Sequence, residues 1–186
     1  MCREHPRHRT VDEIVAKVWL IGRSYSAAIE RRRDAKGTGD DFYEKEVGPQ
    51  MQSQPIDSWL GMVQDNDIPG SPATIVVHKK LTDLFREITG LEKRSLASKY
   101  LHLHKPNAFF IYDSRARQSI VKLVPRIADI AELDADEFDP EYRDFVRRCT
   151  WLRDHIRQTL GVELTPREID SRVLTIGDDV RPGSDG

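Results

Sequence analysis

Lys99 and Asp113 are the two residues of this chain whose types and surroundings best suit covalent chemistry. Lys99 lies in a helical stretch that also holds Leu96 and Leu101, and Asp113 follows the apolar run Phe109–Tyr112. A lysine shielded from water loses its charge more easily and becomes a nucleophilic amine, and a carboxylate beside it can stabilise positive charge in a transition state. The same pattern is also typical of a surface lysine whose stem covers apolar residues and of an aspartate that caps the next helix.

The elements that must position this pair are predicted to be helices. Apolar residues recur at helical spacing over about 11–33, 42–47, 56–60, 74–89, 95–104, 114–131, 138–160 and 165–176. Ile75-Val76-Val77 is also compatible with a strand, but the spacing of the apolar residues after it favours a helix. We therefore expect an all-α fold, an orthogonal bundle of about seven or eight helices. Residues 10–177 form its single domain, between a mobile N-terminal tail (1–9) and a disordered C-terminal tail (178–186).

Several helix ends carry recognisable capping residues. Thr10 or Val11-Asp12 is placed to cap the first helix, and Gly48-Pro49 is expected to end the second. Gly161 should end the long helix that precedes it. The run Thr165–Glu168 combines a cap, a proline at the first helical position and a glutamate at the third, which predicts a capping box.

Composition excludes several classes of protein. The 186 residues are 38% hydrophobic and 32% charged with a net charge of −2, so DNA binding would need a local basic patch. Cys2 and Cys149 are too few and too far apart for a disulfide framework or a zinc site, and Cys149 falls on an apolar stripe expected in the core. We expect no metal, no cofactor and no membrane span, with a cytoplasmic monomer as the default.

Three segments carry a resemblance to a known family. Ile88–Lys93 stands where a hairpin would lie between two helices, Ser98–Leu101 places a lysine within a helix, and Phe110–Ala116 brings an aspartate to the next helix. Together, the stretch from Leu84 to Ile120 resembles the helix-hairpin-helix DNA glycosylases, in particular the 8-oxoguanine DNA glycosylase branch. The resemblance implies a degenerate glycosylase-like fold.

The resemblance also implies an activity and its residues. A base-excision DNA glycosylase of this kind acts on an oxidised purine such as 8-oxoguanine in damaged double-stranded DNA, with or without lyase activity. Lys99 would attack the sugar C1′, and Asp113 would stabilise the cationic sugar. The lysine spacing of eukaryotic members points instead to Lys93, which stays an alternative nucleophile. DNA contacts are implied for Gly90, Lys93, Arg94, Arg115 and Arg117, and a base pocket for Tyr100, His102 and Tyr112, with Trp59 as a further stacking candidate.

One departure from the family pattern favours a second hypothesis. The usual hairpin has a second glycine that lets backbone amides meet a DNA phosphate, but here Leu91 and Glu92 follow Gly90. An acidic side chain therefore lies near the expected phosphate. The alternative is a non-catalytic helical module that keeps the glycosylase-like fold and binds DNA or a protein.

Overall fold

The computed structural model describes residues 2, 4–31, 40–64, 67–127 and 137–179. Within these ranges the regular structure is helical throughout and contains no strand, so the all-α prediction is confirmed for the described part of the chain. The elements are α1 (Val11–Ser24), α2 (Asp40–Phe42), a π-helical turn (Tyr43–Val47), α3 (Gly48–Gln52), α4 (Ile56–Gly61), α5 (Pro72–Thr89), α6 (Arg94–His104), α7 (Ser114–Leu123), α8 (Pro140–Leu160) and α9 (Pro166–Asp179).

The core consists of two clusters of buried side chains. Helices α1 and α3–α6 supply most of the first cluster, and α7–α9 supply most of the second. The run Phe109–Tyr112 joins them, because Phe109 packs in the first cluster while Phe110 and Tyr112 pack in the second. Asp113, the next residue, is therefore held near the junction of the two clusters.

The predicted caps are present. Thr10 Oγ1 accepts a hydrogen bond from the backbone N–H of Glu13 at 3.3 Å. At the start of α9, Glu168 Oε2 accepts from the backbone N–H of Thr165 at 2.8 Å, and Thr165 Oγ1 accepts from the N–H of Glu168 at 3.3 Å. Gly161 ends α8 with φ 67°, a left-handed conformation that glycine adopts readily. Short-range capping signals thus predict these helix ends correctly.

The first helix is shorter than the predicted span 11–33, because α1 ends at Ser24. The chain reverses at Ser26, whose φ of 52° is unusual for a residue other than glycine. Gly22 permits the reversal, since a Cβ at that position would lie 2.9 Å from the Cα of Ala28. The backbone carbonyl of Tyr25 therefore lies beyond the helix end and can accept a hydrogen bond from another element.

The predicted helix end at Gly48-Pro49 is wrong. The helical path continues from the π turn Tyr43–Val47 directly into α3, with Pro49 in the first turn of that helix. Gly48 serves close packing instead, because a Cβ there would lie 2.6 Å from Val11 Cγ1 and 3.0 Å from Val15 Cγ2 of α1. A glycine that stops a helix and a glycine that lets two helices approach have the same local sequence signal.

Helix α7 is also shorter than its predicted span of 114–131. It ends at Leu123, and Val124 is extended with φ −125° and ψ 127°. Pro125 follows, and steric contact with a proline ring moves the preceding residue out of the helical region. The predicted residues 128–131 lie outside the described ranges. At the other end of the chain α9 extends to Asp179, and residues 180–186 of the expected C-terminal tail are likewise not described.

His8, within the segment 1–9 that was expected to be a mobile tail, is anchored to the bundle, and residues 1 and 3 of that segment lie outside the described ranges. His8 Nδ1 lies 2.7 Å from Asp57 Oδ1 and His8 Nε2 lies 2.6 Å from the hydroxyl of Tyr100. Burial lowers the pKa of His8, although its hydrogen bond to Asp57 acts in the opposite direction. A neutral imidazole can donate to the carboxylate and accept from the phenol, so both ring nitrogens are satisfied.

Candidate functional site

Lys99 and Asp113 line a shared cleft of about 630 Å³. Lys99 Nζ lies 3.6 Å from Asp113 Oδ2, a distance at which the charges attract without a direct hydrogen bond. Lys99 is only 5% exposed, whereas the side chain of Asp113 is 27% exposed. The cleft thus combines a desolvated amine with a carboxylate that solvent can reach.

The amine of Lys99 is held by neutral oxygen atoms as well as by this carboxylate. Nζ donates to the backbone carbonyl of Tyr25 and to Oγ of Ser95, both at 3.1 Å. The early end of α1 makes the Tyr25 carbonyl available, and Ser95 lies one turn before Lys99 on α6. Burial lowers the pKa of Lys99, while the carboxylates of Asp113 and Asp170 oppose that effect. The amine is therefore easier to deprotonate than that of an ordinary surface lysine.

The two oxygens of Asp113 have different partners. The residue is the N-cap of α7, and its Oδ1 accepts a hydrogen bond from the backbone N–H of Ala116 at 2.9 Å. The other oxygen, Oδ2, is the atom nearest to Lys99. The capping interpretation is therefore confirmed, and it leaves one oxygen available for chemistry. The cap also fixes the orientation of the carboxylate, since rotation would break the hydrogen bond to Ala116.

Ser98 positions the segment that carries Asp113. Its Oγ accepts from the backbone N–H of Tyr112 at 2.9 Å and can donate to the carbonyl of Tyr112 at 3.2 Å or of Ser95 at 3.1 Å. Ser98 is fully buried. Sequence reasoning missed the role of this residue. The available signal was a serine between apolar positions of a buried helix, because a buried hydroxyl there needs a hydrogen-bond partner such as a backbone group.

Tyr112 and Arg117 both contact a carboxylate at the cleft edge. The hydroxyl of Tyr112 donates to Glu141 Oε1 at 2.7 Å, and Arg117 Nε lies 3.2 Å from the same oxygen. Burial, together with this hydrogen bond, raises the pKa of Tyr112 well above its ordinary value. Tyr112 and Glu141 line the cleft, whereas Arg117 is not among its lining residues. The charge of Arg117 is therefore already partly neutralised.

Arg94 is similarly committed to carboxylates. It forms ion pairs with Glu92, with Asp139 at 2.5 Å and with Glu141 at 3.4 Å. Asp139 is also the N-cap of α8, accepting from the backbone N–H groups of residues 141 and 142. These contacts connect the start of α6 to the start of α8. Arg94 thus has a clear structural role besides the DNA contact expected of it.

The remaining predicted DNA contacts are placed as follows. Gly90 ends α5 with φ 72° and does not line the cleft, but the loop after it does. Lys93 lines the cleft, and its amine donates to the carbonyl of Arg31 at 2.5 Å. Arg115 is an exposed lining residue. Trp59 lies outside the cleft, half-buried, with the amine of Lys80 5.9 Å from its ring centre.

Two of the three residues expected in a base pocket point away from the cleft. Tyr100 is fully buried, and its hydroxyl is hydrogen-bonded to His8. His102 Nδ1 lies 2.8 Å from the carbonyl of Phe109, and the residue lines a separate cavity of about 660 Å³. Tyr100 is rotated by about 100° from Lys99 around α6, whereas His102, three residues after Lys99, is directed to the backbone of Phe109 by its hydrogen bond. Tyr112 alone of the three lines the same cleft as Lys99.

Asp170 on α9 is a third ionisable group near this pair that sequence reasoning missed. Its side chain is 7% exposed, its Oδ2 lies 3.3 Å from Nη1 of Arg167, and its Oδ1 is buried without a hydrogen-bond partner. Burial raises the pKa of Asp170 to about 6, and Asp113 acts in the same direction, while Arg167 and Lys99 oppose it. The sequence signal that could have identified Asp170 is its place beside Ile169 and Val173, apolar positions expected to be buried.

Comparison with protein-family models, with curated proteins and with solved structures finds no match to this chain. The described ranges contain no group of three or more His, Cys, Asp or Glu side chains that could hold a metal ion. Among the described helices, none is long and apolar enough to cross a membrane. The candidate site therefore has to be interpreted from its own geometry.

Proposed function

We propose that this protein is a base-excision DNA glycosylase with lyase activity that acts on an oxidised purine such as 8-oxoguanine. The observation that carries the proposal is the buried amine of Lys99, 3.6 Å from the carboxylate of Asp113 in one cleft. Lysine nucleophiles need a lowered pKa, and burial supplies it here. The resemblance of the surrounding segments to the 8-oxoguanine glycosylases suggests the substrate.

The chemistry assigned to the pair begins with substitution at the sugar. The neutral amine of Lys99 attacks C1′ of a nucleotide flipped out of the duplex, and the N–C bond forms as the glycosidic bond breaks. The base leaves with the bonding electrons and takes up a proton. Positive charge develops on the sugar in this step, and the carboxylate of Asp113 stabilises it. The hydrogen bond from Ala116 keeps that carboxylate oriented, which avoids reorganisation during the reaction.

The lyase step follows from the covalent adduct. The sugar ring opens as the C1′–O4′ bond breaks: O4′ keeps the bonding electrons and takes up a proton, while the lone pair of the Lys99 nitrogen forms the C=N bond of a Schiff base. Asp113, the carboxylate beside that nitrogen, can accept a proton as the imine forms. Loss of a proton from C2′ then expels the 3′ phosphate and cleaves the strand.

Borohydride trapping tests the proposal, because it reduces a Schiff base to a stable amine. Incubation of the protein with an 8-oxoguanine duplex and borohydride should yield a covalent protein–DNA adduct. Lys99→Gln should abolish the adduct. Lys93→Gln is the matched control, because Lys93 lines the same cleft but its amine lies at an exposed contact.

Asp113→Asn separates the chemical role from the structural role of that residue. Asparagine caps helices as well as aspartate does, so the fold should be retained, while trapping should slow by at least about a hundredfold. Failure to trap an adduct with duplexes carrying several oxidised purines would refute the proposal. An adduct that survives Lys99→Gln but is lost in Lys93→Gln would assign the nucleophile to Lys93 instead.

One observation favours the second candidate, a non-catalytic DNA- or protein-binding module. Glu92 and Glu141 line the cleft, and Arg94 is paired with both of them. Carboxylates at these positions repel DNA phosphates and reduce the cationic surface available for binding. Under this alternative, the protein would bind a duplex or a protein partner, and no lesion would give a trapped adduct.

A further inference from the structure

We propose that Asp170 is a positioning residue that controls the protonation state of the Lys99 amine from behind the cleft. The inference deepens the proposed function and rests on it for its catalytic meaning, since it concerns the readiness of the nucleophile. Neither the sequence patterns nor the resemblance to glycosylases assigns a role to this residue.

The position of Asp170 is the first support for this role. Helix α9 packs along α7, and Asp170 lines a small buried space together with Ile111 and Ala116. Ile111 belongs to the extended run that leads to Asp113, and the backbone N–H of Ala116 is the hydrogen-bond donor to Asp113. Asp170 therefore lies directly behind the segment that holds the carboxylate of the site.

The incomplete pairing of Asp170 is the second support. Oδ1 is buried without a hydrogen-bond partner, and Oδ2 pairs with Arg167 at 3.3 Å. The side chain of Arg167 is 59% exposed, so water screens much of its charge. A buried carboxylate with one unpaired oxygen costs stability, and such groups often serve function.

The charges around Asp170 explain how it can act on Lys99. Lys99 on α6, Asp113 before α7, Cys149 on α8 and Arg167 on α9 all interact electrostatically with it. Cys149 is buried with its pKa raised well above the ordinary value, so it stays a neutral thiol. The protonation state of Asp170 therefore changes how strongly the surroundings hold a proton on Lys99.

Two states follow from this arrangement. When Asp170 is ionised, two carboxylates oppose the effect of burial and favour the ammonium form of Lys99. When Asp170 takes up a proton, Asp113 opposes burial alone, and the amine loses its proton more easily. Lys99 is thus held as an ammonium while Asp170 is ionised. Protonation of Asp170 then favours the neutral amine, which is the nucleophile.

Competitive acylation measures this effect without any DNA. The full chain is labelled with a trace of acetic anhydride across a pH series, and mass spectrometry follows modification of Lys99, since only the neutral amine reacts. Asp170→Asn removes the charge at constant shape, so the midpoint of the Lys99 labelling curve should move to lower pH. Labelling at pH 7 should be about threefold faster or more, which corresponds to about half a pKa unit.

Control variants make the result specific. Glu168→Gln removes a negative charge from an exposed site on the same helix and should leave the Lys99 midpoint unchanged. Asp170→Ala should move the midpoint in the same direction as Asp170→Asn, and it provides a second test if one variant fails to fold. Cooperative thermal unfolding of each variant establishes which of them are folded.

The outcomes separate this inference from the proposed function. An unchanged midpoint in the folded Asp170 variants overturns the role of Asp170, whatever the trapping experiment shows. A lowered midpoint in a protein that never forms a borohydride adduct supports the control of Lys99 by Asp170 and rejects the glycosylase activity. A lowered midpoint together with an adduct supports both.

Discussion

Replacing Asp170 by asparagine should change how the stability of the protein depends on pH. The pKa of Asp170 is about 6 in the folded protein, against an ordinary value of 3.8. A pKa difference of about two between folded and unfolded states corresponds to at most about 3 kcal/mol in the free energy of unfolding, at about 1.36 kcal/mol for each pKa unit. Solvent screening near the exposed guanidinium of Arg167 reduces this figure, so we expect about 1–2 kcal/mol.

The sign follows from proton binding. Between about pH 4 and pH 6 the folded state holds the Asp170 proton more tightly than the unfolded state does. Asp170 therefore contributes stability that is fully present below the unfolded pKa and is lost as the pH rises through the folded pKa. Asparagine does not titrate. The free energy of unfolding of Asp170→Asn minus that of the wild type should thus increase by about 1–2 kcal/mol from about pH 4 to pH 6.5.

Urea unfolding followed by circular dichroism at several pH values measures this difference, with the slope m checked for constancy. Glu168→Gln is a control of opposite sign, because hydrogen bonds from Thr165 lower the pKa of the exposed Glu168. Its removal should reduce stability relative to wild type as the pH rises to the ordinary glutamate pKa of 4.5 and above, because the lowered pKa stabilises the folded protein there. A pH-independent difference for Asp170→Asn, or one that falls with pH, would refute the assignment of a raised pKa to a buried, unpaired carboxylate.

Three further predictions concern packing and DNA contact. Ser98→Ala should cost about 1–3 kcal/mol in urea unfolding, because the buried backbone N–H of Tyr112 loses the Ser98 hydroxyl as its hydrogen-bond acceptor. Gly22→Ala should cost a similar amount, about 1–3 kcal/mol, since the new Cβ meets the backbone of Ala28 at 2.9 Å. If the cleft binds duplex DNA, Arg115→Ala should lower the slope of log affinity against log salt by about 0.9, because Arg115 lines the cleft, whereas Arg117→Ala, at a residue outside the cleft lining, should change it little. Equal slope changes would contradict the assignment of DNA binding to this cleft.

Local patterns in the sequence predicted much of the fold. Thr10 and Thr165 cap their helices as expected, and Gly161 ends α8, because these signals act over three or four residues. The pairing of Lys99 with Asp113 was also anticipated, from the apolar neighbours of both residues and from the resemblance to the glycosylases. The capping role of Asp113 and its place beside a lysine both follow from its position at the start of α7.

Long-range packing accounts for what was missed. The early end of α1 depends on the approach of Ala28 to Gly22, and the continuation through Gly48 depends on contact with α1. Neither contact is visible in a local window. Asp170 is far from Lys99 in sequence, and only the packing of α9 against α7 reveals that it lies behind the site. Tyr100 and His102 of the expected base pocket have partners elsewhere, the side chain of His8 and the backbone carbonyl of Phe109, and neither contact is predicted by the local sequence.

The hydrogen bond from Lys99 to the carbonyl of Tyr25 has a consequence for the order of folding. It spans 74 residues of chain, and the contact between Tyr100 on the same helix and His8 spans 92. Contacts this distant in sequence form slowly, because the chain loses the entropy of a long loop before they stabilise it. We expect the amine of Lys99 to acquire its environment only in the last stage of folding, after the local helix pairs have formed. Partly folded chains would then carry an ordinary, protonated lysine at this position, and reactivity would appear only with the complete tertiary structure.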